Sequence, residues 1–364
     1  MILRWIGKLC RQLHLCFLAV TPRDSVGNRS PTVRTLAELS STLMEGRKQV
    51  HRGSIREVNL EPIKDYEVNE AEEFWEILSP QRYLFSPQNR PIFRGQADSD
   101  WKLIPSILRG QDHPAYSAVI FRGSPEQSDQ RIFVEIATLL TFAEYCDSAG
   151  LRIPSDSSNF RSNFLDPTKV MDTFIFHRKL WPSPEYYEIM AVAQHHGLKT
   201  RLLDWSHRSY VAAYFAASEA LFNKKAKRFA VWALDTQVTI PRLENLEFIR
   251  VPGGNNANVA AQAGLFTLLR QKYARGSAFE GPENLCEYVA ALGSKSLAKI
   301  TLPVSEAPKI IDLCERHGIT AAALFPDFYG AARATAIHQA CWTRTEWTDG
   351  RDIRARTSPV TSDS

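Results

Sequence analysis

The residues best equipped for chemistry begin with a short apolar stretch, Ile92-Phe93-Arg94-Gly95-Gln96. A regular strand through it points Arg94 and Gln96 to one face and Phe93 to the other. The planar donors of Arg94 match a phosphate or a carboxylate, and Gln96 works beside them. Gly95 lets a ligand or a second backbone come close. A second stretch, AQHHGLKTRLLDWSHRSYVAAYFA, carries more polar groups. Alternation from Thr200 to Ser206 puts Thr200, Leu202, Asp204 and Ser206 on one face and Arg201, Leu203 and Trp205 on the other, so Arg201 and Asp204 need not pair. Ser206 precedes an apolar helix and suits its N-cap, and the same helix start suits a ligand phosphate.

His195 and His196 fall where a helix ends at Gly197, a position that favours an imidazolium. Both read as positioned, hydrogen-bonded imidazoles, with His196 the candidate for general acid or base work. Their spacing to Asp204 and His207 fits no metal-ligand pattern, so no metal site is expected. In GGNNANVAAQAGLFTLL, Gly253 and Gly254 form neither a dinucleotide fingerprint nor a phosphate loop. Asp327, between Pro326 and an aromatic, suits a turn or a cap. No nucleophile elbow, zinc-protease helix or cysteine-centred signature is present in the chain.

These groups need elements to hold them. EAEEFWEILSP is patterned as a helix with Phe74, Trp75, Ile77 and Leu78 on one side and Pro80 as its stop. A strand is expected around PIFRGQ. RIFVEIATLLTFAEYCDSAG reads as a long helix closed by Gly150, and PEYYEIMAVAQHHG as a helix from Pro184 to Gly197. LKTRLLDW is expected as a short strand, and SYVAAYFAASEALF, apolar almost all round, as a buried helix. RFAVWALDT, LEFIRV, GLFTLL and AKITLPV are strand candidates, APKIIDLCERHG is a helix, and ITAAALFPDFYG closes the series. The layout is α+β, with mixed, mostly antiparallel sheets and packed helices.

The totals set limits. With 364 residues, 44% of them hydrophobic, the chain has material for a large core. A net charge of +4, from 44 basic and 40 acidic residues, sets no global field that demands nucleic acid or membrane. Six scattered cysteines read as reduced thiols in a cytoplasmic protein. The first twenty residues mix Arg4, Lys8, Arg11 and His14 into apolar sequence, so no transmembrane segment is expected there. Residues 1–65 read as an N-terminal extension, partly helical at TLAELSSTLMEGRKQ or disordered. Residues 66–345 form the core, and residues 346–364 a disordered tail.

Together, Phe93-Arg94-Gly95, its continuation ADSDWKLIPSIL and the segment from Gln194 to Ala216 resemble an FRG domain, over about Tyr66 to Tyr329. The resemblance includes a Gln-x-Gly-x-Phe-Thr element, here beginning at Gln262, and a closing ALFPDFYG motif. An aromatic-Arg-Gly strand followed by a hydroxyl-bearing strand and an Ala/Phe-rich helix is also similar to arginine-type mono-ADP-ribosyltransferases. That similarity implies an ADP-ribosyltransferase-like fold and NAD as substrate. Arg94 would lie on the phosphates, with Gln96, Thr200, Arg201, Ser206 and Gln262 around the nucleotide. Asp327 would stand in for the late carboxylate, beside His196, and the acceptor would be a protein or nucleic acid. Two further readings stay open. One is a non-catalytic module that binds a nucleotide, a phosphorylated partner or nucleic acid. The other is a structural role in which Arg94 and Asp204 form a buried ion pair that fixes the sheet.

Overall fold

The computed structural model describes residues 63–349 apart from residues 83, 86–87, 110–127, 177–180, 238–242 and 274–275. The N-terminal helix expected at TLAELSSTLMEGRKQ, the tail after residue 349, and Cys10 and Cys16 lie outside the described residues.

Seven strands form one mixed sheet: β1 (Ile63–Glu67), β2 (Ile92–Gln96), β3 (Leu203–Ser206), β4 (Arg228–Leu234), β5 (Leu246–Ile249), β6 (Gly264–Leu269) and β7 (Leu297–Pro303). Their spatial order is β1-β7-β4-β2-β3-β6-β5. Only β1 and β7 run parallel; the other neighbours are antiparallel. The helices are α1 (Ala71–Ile77), α2 (Ser128–Ser148), α3 (Ser158–Phe164), α4 (Pro167–Met171), α5 (Tyr187–His195), α6 (Ser209–Ala220), α7 (Ala257–Gln262), α8 (Leu285–Ala291), α9 (Ala307–Arg316), α10 (Ala321–Leu324) and α11 (Phe328–Asp349). The protein is therefore α+β. No helix among the described residues is long and apolar enough to cross a membrane.

The sheet separates two apolar layers. On one face, Phe93, Val231, Ala233, Ile300 and Leu302 pack with α1, α6, α9 and α10. On the other, Ile92, Leu203, Trp205, Trp232 and Leu234 pack with Leu285, Tyr288 and Val289 of α8. Helix α6 lies closest to the sheet because its inner side is mostly alanine and because Gly95 has no side chain. A Cβ on Gly95 would lie 2.6 Å from the backbone nitrogen of Ala216, and closer still to the carbonyl oxygen of Ala212. The second backbone that Gly95 admits is this helix.

Strand β3 is shorter than the alternation from Thr200 suggests. Extended pairing starts at Leu203, with Leu203 and Trp205 in the apolar layer. Residues Thr200 to Leu202 make a turn held by side chains: the Thr200 hydroxyl accepts from Leu202 N at 3.1 Å and bonds to Gln194, and Thr200 N donates to Ser106 Oγ at 3.1 Å. Nor does Ser206 cap α6. Its Oγ accepts from Arg208 N at 2.9 Å and donates to the Gln262 carbonyl at 2.7 Å, and the helix begins at Ser209.

Candidate functional site

Strand β2 pairs with β4 over five residues, but with β3 through a single pair, Phe93 and Ser206. Beyond that pair the two central strands diverge. The opening leads into a cavity of about 770 Å³, lined by β2, β3, the end of α5, the outer half of α6, α7 and the Phe325–Arg333 segment.

Arg94 lies in the gap. Its Nη1 donates to the Asp204 carbonyl at 2.8 Å and to the Asp204 carboxylate at 2.5 Å, so one side chain replaces the missing ladder. Its buried Nε has no partner among the described residues. Gln194 donates a second bond to the Asp204 carboxylate at 3.1 Å. Burial pushes Asp204 upward, but the charge and hydrogen bond of Arg94 outweigh it and hold the carboxyl below its ordinary range. Arg94 and Asp204 therefore do pair, but the pair is not the buried one expected. It is not sealed, because the Asp204 side chain is 57% exposed to the cavity.

A second carboxylate behaves oppositely. Glu219 is the one charged residue of α6 and projects into the cavity, 3.5 Å from Arg333. The surrounding protein pushes its carboxyl above the ordinary range; Arg333 and Arg94 pull down, and Asp204 adds to the rise. Above the ordinary glutamate range the unfolded chain has released this proton while the folded protein still holds it, so stability falls as pH rises through that window. Glu219→Gln carries no such proton. Its melting temperature is expected to gain on the wild type as pH rises above the ordinary glutamate range, where an ordinary and a raised carboxyl part company. A difference that stays constant as pH rises would contradict the assignment.

Arg109 and Arg333 join Arg94 in the lining. Burial and the charge of Arg94 depress Arg109, which a guanidinium tolerates without losing its proton. An aromatic wall runs from Phe215 to Phe325 to Tyr329 by edge contacts of 6.0 and 6.2 Å, with Arg333 over the Phe325 ring at 5.4 Å. His195 meets the edge of Phe266 at 6.0 Å. Its buried Nε2 has no partner among the described residues. Burial holds His195 below the usual imidazole range, with Asp204 opposing and His196 assisting. The pocket thus combines guanidiniums for an anion, two carboxylates of opposed tendency and a ring-lined wall.

Of the residues singled out from sequence, Arg94, His196, Ser206, Gln262 and Asp327 line this cavity. Some of their polar atoms are already engaged. Gln262 Nε2 donates to the Leu324 carbonyl at 3.2 Å, and Asp327 Oδ1 accepts from Gly330 N at 2.8 Å, capping α11. Gln96, Thr200 and Arg201 do not line it. Gln96 shares its strand face with Arg94 but is buried outside the cavity, accepting from Trp232 Nε1 at 2.8 Å and donating to the Lys102 carbonyl at 3.3 Å. Arg201 is buried against Glu135 at 2.7 Å. Glu219, Arg109 and Arg333 escape a reading by motif. For Glu219 a signal was available: one acid in an otherwise apolar helix needs a reason.

His195, His196, His207 and Asp204 do not converge as metal ligands. Among the described residues the one cluster of that kind is Glu70, Glu72 and Glu306, outside the cavity, with Lys309 bonded to Glu306 at 2.9 Å.

Residues 89–225 match the family model of the FRG domain. No curated protein and no solved structure matches the chain.

Proposed function

We propose that the FRG domain of this chain holds a nucleotide of the NAD class in the cavity between β2 and β3 and transfers its ADP-ribose. The observation that supports this most is the environment of Arg94: a buried guanidinium nitrogen without a partner, at the edge of a cavity that also holds carboxylates of opposed tendency. Arg94, Arg109 and Arg333 take the diphosphate, for which planar donors are suited. The bond from ribose C1′ to the nicotinamide nitrogen breaks, and its electron pair returns to the ring, which leaves neutral. Positive charge builds on the ribose, and the ionised Asp204 stabilises it. The acceptor's oxygen or nitrogen adds to C1′ and its proton passes to Glu219, whose raised affinity for a proton suits a general base. Glu219, the carboxylate with the raised proton affinity, takes the place of the late carboxylate expected from resemblance.

The test is nicotinamide release and covalent labelling by ADP-ribose at millimolar NAD, in the full chain. Arg94→Ala is expected to weaken NAD binding at least about tenfold, the scale of a lost charge-assisted hydrogen bond. Glu219→Gln is expected to keep NAD affinity and to lose turnover by roughly 10²-fold or more, as for a missing general base. Binding without turnover would leave a nucleotide-binding module. No binding and no turnover at millimolar NAD would end the nucleotide reading.

A further inference from the structure

Beside the main cavity lies a smaller cleft of about 240 Å³, whose walls include Val192, His196, Asn256, Pro326 and Asp327. His196, Asn258 and Asp327 line both spaces, so the two adjoin. At this size the cleft has room for one ring, not for a dinucleotide.

Asn256 is buried, and its side chain precedes α7 as the N-cap. Its Oδ1 accepts from Val259 N at 3.1 Å. A backbone N–H can only donate, so this bond fixes which end of the amide is oxygen, and the nitrogen is the end left over. That Nδ2 is buried with no partner among the described residues. Native proteins rarely leave such a donor unpaired without a reason. Across the same cleft, Asp327 gives one bonding site to Gly330 N, and a carboxylate has acceptor capacity for more. Val192 and Pro326 add apolar surface.

We infer that this cleft binds an aromatic ring bearing a primary carboxamide, the carbonyl accepting from Asn256 Nδ2 and the amide NH2 donating to Asp327. A carboxamide carries one acceptor and two donors in a plane, which matches a leftover donor and a carboxylate from residues lining one cleft. A ring carboxylate would meet Asp327 with like charge and is excluded. The inference deepens the proposed function and rests on it for one step: in NAD the carboxamide ring is nicotinamide, so the diphosphate lies in the large cavity and the leaving group in the small one.

The test uses the full chain with three probes, nicotinamide, nicotinic acid and ADP-ribose, each titrated alone by calorimetry or ligand-observed NMR. The wild type is expected to bind nicotinamide at least about tenfold more tightly than nicotinic acid, as a site built to pair a specific polar group discriminates. Asn256→Asp keeps a capping oxygen but turns the orphan donor into an acceptor, and is expected to lose nicotinamide binding at least about tenfold while ADP-ribose affinity stays as it was. Asn256→Ser, also a good cap, covers the case in which the aspartate does not fold, and is expected to lose nicotinamide in the same way. Wild type that ignores nicotinamide at tens of millimolar, or variants that bind it as well as wild type, would overturn the assignment. Failure of ADP-ribose to bind tells against the nucleotide reading of the large cavity, while the nicotinamide arm judges the cleft on its own.

Discussion

Gly95→Ala is expected to destabilise the protein by about 3 kcal/mol or more, the upper end of what overpacking does. The new methyl would press on the backbone of Ala212 and Ala216, not on a side chain that can turn away. Retreat is closed on both sides. Ala212 and Ala216 are fully buried in α6, and Gly95 is held in register with Val231 of β4. Gly254→Ala is the matched control, since a Cβ there meets nothing within 4 Å. Urea unfolding of the two variants should separate them widely. A Gly95→Ala midpoint equal to wild type would mean that α6 is not seated on β2 as described.

The second large effect belongs to Arg201. Its Nε donates to both oxygens of Glu135, at 2.8 and 2.7 Å, with each side chain only 4% exposed. Trp181 Nε1 adds a bond to Glu135 at 2.8 Å, Gln271 accepts from Arg201 Nη1 at 3.1 Å, and the guanidinium stacks 4.2 Å from the Phe279 ring centre. Arg201→Ala would strand a carboxylate where water cannot reach it, which costs about 3–5 kcal/mol. Replacing both partners with apolar residues, Arg201→Met with Glu135→Leu, should recover much of that loss, because the desolvation of both ions disappears together. A single variant within about 1 kcal/mol of wild type, the size of an exposed pair, would show that the contact is effectively solvated.

Arg201 also marks where reading the sequence reaches its limit. Arg201 and Asp204 do not pair, as expected, but Arg201 lies in the turn before β3 where alternation no longer applies, and resemblance places it near a nucleotide without saying which partner it meets. Glu135 comes from α2, 66 residues earlier in the chain, and no local pattern connects the two. Gln96 is similar: it shares strand parity and face with Arg94, yet Trp232 and the Lys102 carbonyl engage its amide away from the cavity. Elements with a clear period were legible, among them α2, the Tyr187–His195 helix and the β2 strand, because apolar spacing is set locally. The Thr200–Leu202 turn was not, since hydroxyl bonds from Ser106 and Thr200 override the extended pattern. Within the cavity, Arg94 was legible from its motif. Glu219 belongs to no motif and shows only as the lone acid of an apolar helix, and Arg109 and Arg333 lie just past the motifs that precede them.

The placement of β2 and β3 has a further consequence for how this protein can be cut. Residues 89–225 contain these two strands, joined to each other through one residue pair, and their other neighbours β4 and β6 begin at Arg228 and Gly264. A fragment trimmed to those bounds would carry the centre of a sheet without either flank, with unpaired amide and carbonyl rows along both sides. It would also lack Asn258, Gln262, Asp327 and Arg333 from the cavity wall. The stretch by which relatives are recognised is thus not a unit that can be excised. Expression trials and interaction screens should extend through α11.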